Sequence, residues 1–305
     1  MHTVTPVSGL SPIVFPGWRV FAAGAALLAV ATLSQWGRGK AQAPTLAVSV
    51  PSWRSLLGPT GAPARMAVFY GWPAHINRAR SIDQAAAQFS RYGVVFFGQG
   101  LELTSHPQHE ATRQLVDRLT PTTTSVGYVA LGAERLSLEQ VRATIQSWQA
   151  VGVSAVLLDE AGFDFANSRA RQNAAIIAAH RAGLRAIVNA HDPADLLDPQ
   201  HGPVALRAGD GYFYEGLLVS GGHSERRAER HNKLGKLARW LPTGVAVFAT
   251  STTGQAAQFD RAAFACIAEL AKRYRFAAFG WGEHHYAASG HLPWRAIDTA
   301  SNCAL

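Results

Sequence analysis

Residues 153–173 read VSAVLLDEAGFDFANSRARQN, and this stretch holds a strand, a loop and the start of a helix. The short apolar run that ends at Asp159 shows no alternation with polar residues, which is typical of a strand buried on both faces. A loop follows, and a helical pattern begins after Ser168. A buried strand followed by a helix is the repeating unit of a parallel sheet, so this stretch favours an α/β fold.

The same unit recurs along the chain. Short apolar runs alternate with longer stretches of helical periodicity, and Ser137, Gly152 and Gly183 are placed to cap or end helices. The predicted strands are residues 67–70, 94–97, 125–129, 155–158, 185–189, 211–214, 245–249 and 276–280. The clearest helical stretches are residues 81–92, 137–152, 168–183 and 259–274.

Eight such units predict a (β/α)₈ TIM barrel of the α/β class. We expect it to form a single catalytic domain over residues 65–298, followed by a short tail at 299–305. A doubly wound open sheet is the alternative. Its glycine-rich phosphate-binding turn is missing, because the first predicted strand leads into GWPAHIN at residues 71–77.

The amino-terminal segment differs from the rest of the chain. Residues 20–36 read VFAAGAALLAVATLSQW, and the small-x-small pattern of Ala41 and Ala43 follows, as in an export signal. The apolar run is short for a spanning helix. We therefore expect residues 1–43 to be a signal peptide or membrane anchor and residues 44–64 a linker, which predicts a periplasmic or extracellular protein, with membrane attachment through residues 20–36 left open.

Composition narrows the function classes. The chain has 305 residues, of which 48% are hydrophobic and 16% charged, as expected of a globular protein. The net charge of +8 falls to +5 without residues 1–43, and the remaining basic residues are scattered. Scattered charge, without a basic stripe, argues against a nucleic-acid partner. The only two cysteines, Cys266 and Cys303, leave their pairing open.

Candidate site residues follow from the fold, because barrel active sites lie at the carboxyl ends of the strands. Carboxylates, amides and aromatic rings follow the predicted strands, and this set suits a carbohydrate, whose apolar face stacks on rings while its hydroxyls bond to polar groups. The candidate catalytic residues are Asp159, Glu215 and Glu160. The candidate substrate-binding residues are Tyr70, Trp72, Gln99, Glu102, Tyr128, Asn189, Trp281 and Glu283.

Two carboxyl groups are the requirement for hydrolysing a glycosidic bond, one as acid and one as nucleophile or base. Asp159 is expected as nucleophile or base. Glu215 is expected as the acid, because the aromatic run YFY at residues 212–214 would raise its pKa. Alternation turns Glu160 away from Asp159, toward Arg169 or a neighbouring loop. Asp164 has the alternative role of capping the following helix.

Other chemistries find less support. His191, Asp192, Asp195, Glu283, His284 and His285 are metal-ligand types, but their spacing matches no metal motif. A G-x-S-x-G nucleophile elbow is absent. We therefore expect neither a metal nor a cofactor.

The stretches GVSAVLLDEAGFDF (152–165), VNA (188–190) and YFYEG (212–216) together resemble the barrel glycosidases of the endo-α-1,4-polygalactosaminidase family, glycoside hydrolase family 114, and the related spherulin-4-like family. This resemblance implies an exported (β/α)₈ enzyme without a metal requirement. It also implies catalytic carboxylates after the fourth strand and a later strand, which correspond to Asp159 and Glu215.

The sequence therefore predicts an exported, endo-acting glycoside hydrolase whose partner is a hexosamine-containing polysaccharide. Two alternatives remain: a non-catalytic surface barrel that binds carbohydrate, and a barrel lyase or epimerase acting on a small sugar acid.

Overall fold

A computed structural model describes Trp53 and residues 62–221, 223–252 and 261–282. The strands in chain order are Ala64–Phe69 (β1), Val94–Phe97 (β2), Thr124–Ala130 (β3), Ala155–Asp159 (β4), Arg185–Asn189 (β5), Gly211–Tyr214 (β6), Val219–Ser220 (β7), His223–Ser224 (β8), Ala246–Thr252 (β9) and Ala278–Gly282 (β10). The α-helices are Ile82–Phe89 (α1), His109–Leu119 (α2), Leu138–Val151 (α3), Arg169–Arg181 (α4), Pro193–Leu197 (α5), Arg227–Trp240 (α6) and Arg261–Arg273 (α7).

Eight of these strands form a closed parallel barrel in the order β1-β10-β9-β6-β5-β4-β3-β2. Strands β7 and β8 form a separate antiparallel hairpin in the connection from β6 to α6. The fold is therefore the predicted (β/α)₈ barrel, with one small hairpin that the sequence pattern did not indicate.

Two apolar layers hold the barrel together. In β4, Ala155 and Leu157 face the barrel interior, whereas Val156 and Leu158 pack in the layer shared with the helices. Both faces of the strand are thus buried, which explains why its sequence shows no polar alternation. The same alternation runs through the other barrel strands and decides which strand-end side chains reach the mouth of the barrel.

The predicted strands are confirmed, with shifted bounds: β1 begins at Ala64, three residues before its expected start, and β10 begins at Ala278, two residues after its expected start. Ser137 caps α3 in a reciprocal capping box with Gln140, and Gly152 ends that helix in a left-handed conformation with φ 97°. Ser168 caps α4, so Asp164 does not have the capping role that was considered for it.

Trp53 lies at the amino-terminal end of the barrel, opposite the candidate site. Its indole Nε1 donates to the carbonyl of Gly209 over 2.5 Å, and its ring packs edge-on against Phe248. The guanidinium of Arg185 lies 4.0 Å from the centre of the same ring. These contacts cover the barrel interior at the amino-terminal ends of the strands.

The predicted export segment at residues 1–43, most of the linker and the tail at 299–305 lie outside the described residues. Within the described part of the chain, the helices are all too short or too polar to cross a membrane.

Candidate functional site

Strands β4, β5 and β6 are neighbours in the barrel, and each delivers a polar side chain at its carboxyl end. Asp159 ends β4, Asn189 ends β5, and Glu215 follows Tyr214 at the end of β6. Alternation from Leu157, Ile187 and Phe213, which line the interior, places these three polar residues on the inner side. The amide Nδ2 of Asn189 donates to Oε2 of Glu215 over 3.2 Å.

The carboxyl group of Asp159 lies among donors. The hydroxyl of Tyr128 and the backbone N–H of Glu160 both donate hydrogen bonds to it. Burial raises its pKa, while these two donors and the charge of Arg135 act in the opposite direction by stabilising the carboxylate. The donors are therefore arranged to bind the ionised form.

Burial also dominates at Glu215, so the pKa of both carboxyl groups is raised. Burial, and after it the negative charge of Asp159, raises the pKa of the Glu215 carboxyl to about 7, although Asn189 and Lys233 favour its ionised form. The direction agrees with the prediction from sequence, but the cause differs. Tyr212 and Tyr214 face outward, where their hydroxyls donate to the carbonyl of Ala190 and to Glu225.

Glu160 turns away from Asp159 because it adopts a left-handed conformation with φ 57°. Its Oε1 lies 2.9 Å from the guanidinium of Arg135, on the loop after β3. The expectation that Glu160 points toward a neighbouring loop is confirmed. The alternative partner Arg169 instead donates to carbonyls of the segment after β5, including that of Gly202 over 2.9 Å.

Two tyrosines form an aromatic wall beside the carboxyl groups. The rings of Tyr70 and Tyr128 meet edge-to-face with 5.3 Å between their centres. Burial, and then the charges of Asp159 and other nearby groups, raises the pKa of the Tyr70 hydroxyl, so it stays protonated as a donor. Gly98 makes room for this ring, because a Cβ there would lie 2.7 Å from Tyr70 Cδ1.

Three other predicted binding residues lie on the loops after β1 and β2. Trp72 is 50% exposed, and its ring centre lies 6.2 Å from that of His75 and 6.3 Å from that of His106. Gln99 is exposed, and Glu102 is half-buried with its pKa raised by burial. These residues form a more open part of the surface than the tyrosine wall.

Trp281 is not brought to the carboxyl groups. It lies within β10 on the same side as Phe279 and packs edge-on against Phe264 of α7, with 5.8 Å between ring centres. Because β10 starts two residues late, Trp281 is a strand residue facing a helix rather than the first residue of a loop. Glu283 lies outside the described residues.

Glu225 is a residue that the sequence did not single out. It lies in the connection after β6, and its carboxylate accepts hydrogen bonds from the Tyr214 hydroxyl over 2.6 Å and from the Leu218 N–H over 3.1 Å. It therefore fixes the chain on both sides of Glu215. Glu225 is far from Glu215 along the chain and lies in a polar stretch of the sequence, so the sequence gave no indication of this role.

Those candidate metal ligands that lie in the described part of the chain make contacts with other side chains. Asp192 binds Lys236 at 2.6 Å, and His191 lies 3.6 Å from Glu229. Across the residues that the structure describes, no group of three or more histidine, cysteine, aspartate or glutamate side chains could hold a metal ion.

Comparison with known proteins found solved structures of low similarity to this chain. No family model matches the sequence, and no curated protein matches it. Oxaloacetate acetylhydrolase in complex with oxalate is 14% identical with a TM-score of 0.44, covering 75% of this chain and 78% of its own. A putative dihydrodipicolinate synthetase from Pseudomonas aeruginosa is 11% identical with a TM-score of 0.43, covering 72% and 70%. A GH5-4 broad specificity endoglucanase from an uncultured bacterium is 12% identical with a TM-score of 0.42, covering 66% and 76%. At this level of similarity, none of these activities transfers to this chain.

Proposed function

We propose that this chain is a glycoside hydrolase that cleaves bonds within a hexosamine-containing polysaccharide. The observation that carries the proposal is the pair of buried carboxyl groups at the ends of β4 and β6, which flank β5 in the barrel. Burial raises the pKa of both groups: that of Glu215 reaches about 7, while at Asp159 two donated hydrogen bonds and the charge of Arg135 oppose the rise by favouring the ionised form. Two carboxyl groups in different environments are what acid and base roles require.

In this mechanism Glu215 is protonated when the substrate binds and gives its proton to the glycosidic oxygen, so that the leaving sugar departs as an alcohol. Asp159 acts as a carboxylate, either by bonding to the anomeric carbon or by accepting a proton from the attacking water. The Tyr128 hydroxyl keeps the Asp159 carboxylate in place. Water supplies the hydroxyl of one product and the proton that restores the enzyme.

The aromatic residues give the site its affinity for sugar. The rings of Tyr70 and Tyr128 stand beside the carboxyl groups, and the half-exposed ring of Trp72 lies farther out on the loop after β1. A pyranose ring can stack on such surfaces while its hydroxyls bond to amides and carboxylates. The Asp159 carboxylate supplies negative charge in the site, which attracts the ammonium group of a deacetylated amino sugar even though the whole chain is basic.

The resemblance of residues 152–165, 188–190 and 212–216 to the polygalactosaminidase and spherulin-4-like families supports the same substrate class. With the export segment expected at residues 1–43, it also supports a location outside the cytoplasm. Both points belong to the proposal.

A screen of the purified protein against amino-sugar polysaccharides tests it, with the products read by mass spectrometry. Oligosaccharides that each contain one added water support hydrolysis within the polymer. Products lighter by one water would indicate a lyase, and polymer binding without any product would indicate a non-catalytic barrel. Either of these two results would overturn the proposal.

A further inference from the structure

Thr250 carries a buried hydroxyl without a partner. Its Oγ1 makes no hydrogen bond in the structure, and the residue is only 3% exposed. Phe248, two residues earlier in β9, faces the barrel interior, so Thr250 faces the same way near the carboxyl end of that strand. A buried hydroxyl left unpaired destabilises a protein, so each such case needs an explanation. Ser125 Oγ is another in the described residues, but Ser125 lies near the amino-terminal end of β3, away from the carboxyl ends of the strands.

The strand register places this hydroxyl beside Glu215. Tyr214 pairs with Ala249 between β6 and β9, so the next residues along, Glu215 and Thr250, follow side by side. The backbone there is fixed, because the N–H of Leu217 donates to the carbonyl of Thr250 over 2.8 Å. The main chain of Thr250 thus has its partner, and its side chain has none.

The neighbouring strand on the other side contributes no side chain that could pair with the hydroxyl. Thr250 pairs with Gly280 of β10, which has no side chain to place next to it. Glycine is needed at this position for packing, because a Cβ would lie 2.7 Å from the carbonyl oxygen of Met66. The Thr250 hydroxyl therefore lies in the interior row of residues that also contains Glu215, without a side chain of β10 at the paired position.

We propose that Thr250 is a substrate-contacting residue. Its hydroxyl forms a hydrogen bond with a hydroxyl or amino group of the hexosamine unit whose glycosidic oxygen Glu215 protonates. This inference rests on the proposed function, because it identifies a binding contact of the same site. A threonine hydroxyl both donates and accepts, so it can pair with either kind of sugar substituent.

Replacing Thr250 with valine removes the hydroxyl and keeps the shape of the side chain. We expect the KM of Thr250→Val for an amino-sugar polysaccharide to rise about threefold to tenfold with kcat little changed. This is the effect of losing one hydrogen bond that is equally strong in the bound substrate and in the transition state. Its resistance to urea should equal or exceed that of the wild type, because an unpaired hydroxyl has been removed. Thr250→Ser, which retains a hydroxyl, should keep most of the affinity.

Thr123→Val is the matched control at the opposite end of the barrel. Thr123 is also buried, but its hydroxyl donates to the carbonyl of Tyr92 over 2.8 Å. This variant should unfold at lower urea concentration with an unchanged KM. If Thr250→Val behaves like this control, the Thr250 hydroxyl serves the fold and the inference is wrong, while wild-type hydrolysis still supports the proposed function. If the wild type cleaves no amino-sugar polymer, both fail together.

Discussion

The side-chain amide of Asn189 donates to Oε2 of Glu215 over 3.2 Å, joining the end of β5 to the end of β6. This bond favours the ionised form of Glu215, while burial and the charge of Asp159 favour the neutral form. The resulting pKa of about 7 lets Glu215 exist in both protonation states near neutral pH, as an acid that must be restored in each cycle requires.

The first prediction concerns the pH profile. Because Glu215 must be protonated to act as the acid, kcat/KM should fall as the pH rises above about 7. Asn189→Leu removes the bond that favours the ionised form, so the fall should move to higher pH. Initial rates of polymer cleavage across pH for both proteins measure this. A profile that does not move in the variant would show that Asn189 has no influence on the acid.

The second prediction concerns stability. The folded-state pKa of Glu215 is raised from 4.5 to about 7, so its contribution to stability is complete below pH 4.5 and is lost as the pH rises to about 7. Glu215→Gln cannot ionise and should be more stable than the wild type above pH 7, by at most about 3 kcal/mol, with the difference vanishing below pH 4.5.

Urea unfolding at a series of pH values measures this difference. Glu139→Gln, at an exposed position in the first turn of α3, is the control for a glutamate-to-glutamine substitution outside the site. Parallel stability curves for Glu215→Gln and the wild type would contradict the raised pKa.

The third prediction concerns Gly98. An added Cβ would overlap the Tyr70 ring and would also lie 3.2 Å from Cβ of Tyr128, so Gly98→Ala should displace the aromatic wall. We expect a loss of about 1–3 kcal/mol in stability and a higher KM. Gly235→Ala in α6 meets no atom within 4 Å and should instead stabilise the protein by about 0.5–1 kcal/mol. Equal effects of the two substitutions would contradict this account of Gly98.

The fourth prediction concerns the support of Glu215 by its own loop. Tyr214→Phe leaves the buried carboxylate of Glu225 without its shortest hydrogen bond, which should cost about 1–3 kcal/mol in stability and lower kcat. A double-mutant cycle with Glu225→Gln should show coupling of about 0.5–3 kcal/mol. Tyr212→Phe loses a bond to Ala190 instead and should be additive with Glu225→Gln. Additivity in both cycles would mean that Tyr214 and Glu225 do not act together.

The barrel was predictable because its strands are short apolar runs between helical stretches, and the rule that sites lie at strand ends indicated Asp159 and Glu215. The phase of each strand was harder to read from sequence. An entirely apolar run such as GYFY shows no alternation, so the outward direction of Tyr212 and Tyr214 was missed. A two-residue error at the start of β10 likewise misplaced Trp281.

Glu160 illustrates a different limit. A glutamate rarely adopts a positive φ, and neither its identity nor its neighbours indicate one. The contact between Tyr214 and Glu225 was also beyond prediction, because it depends on how the connection after β6 folds back on itself.

The most direct measurement compares the release of oligosaccharides from an amino-sugar polysaccharide by the wild type, Asp159→Asn and Glu215→Gln, with circular dichroism confirming that all three are folded. The account predicts that the wild type releases hydrolysis products and that each amide variant loses at least about 100-fold in kcat. Cleavage by either folded variant at the wild-type rate would contradict it.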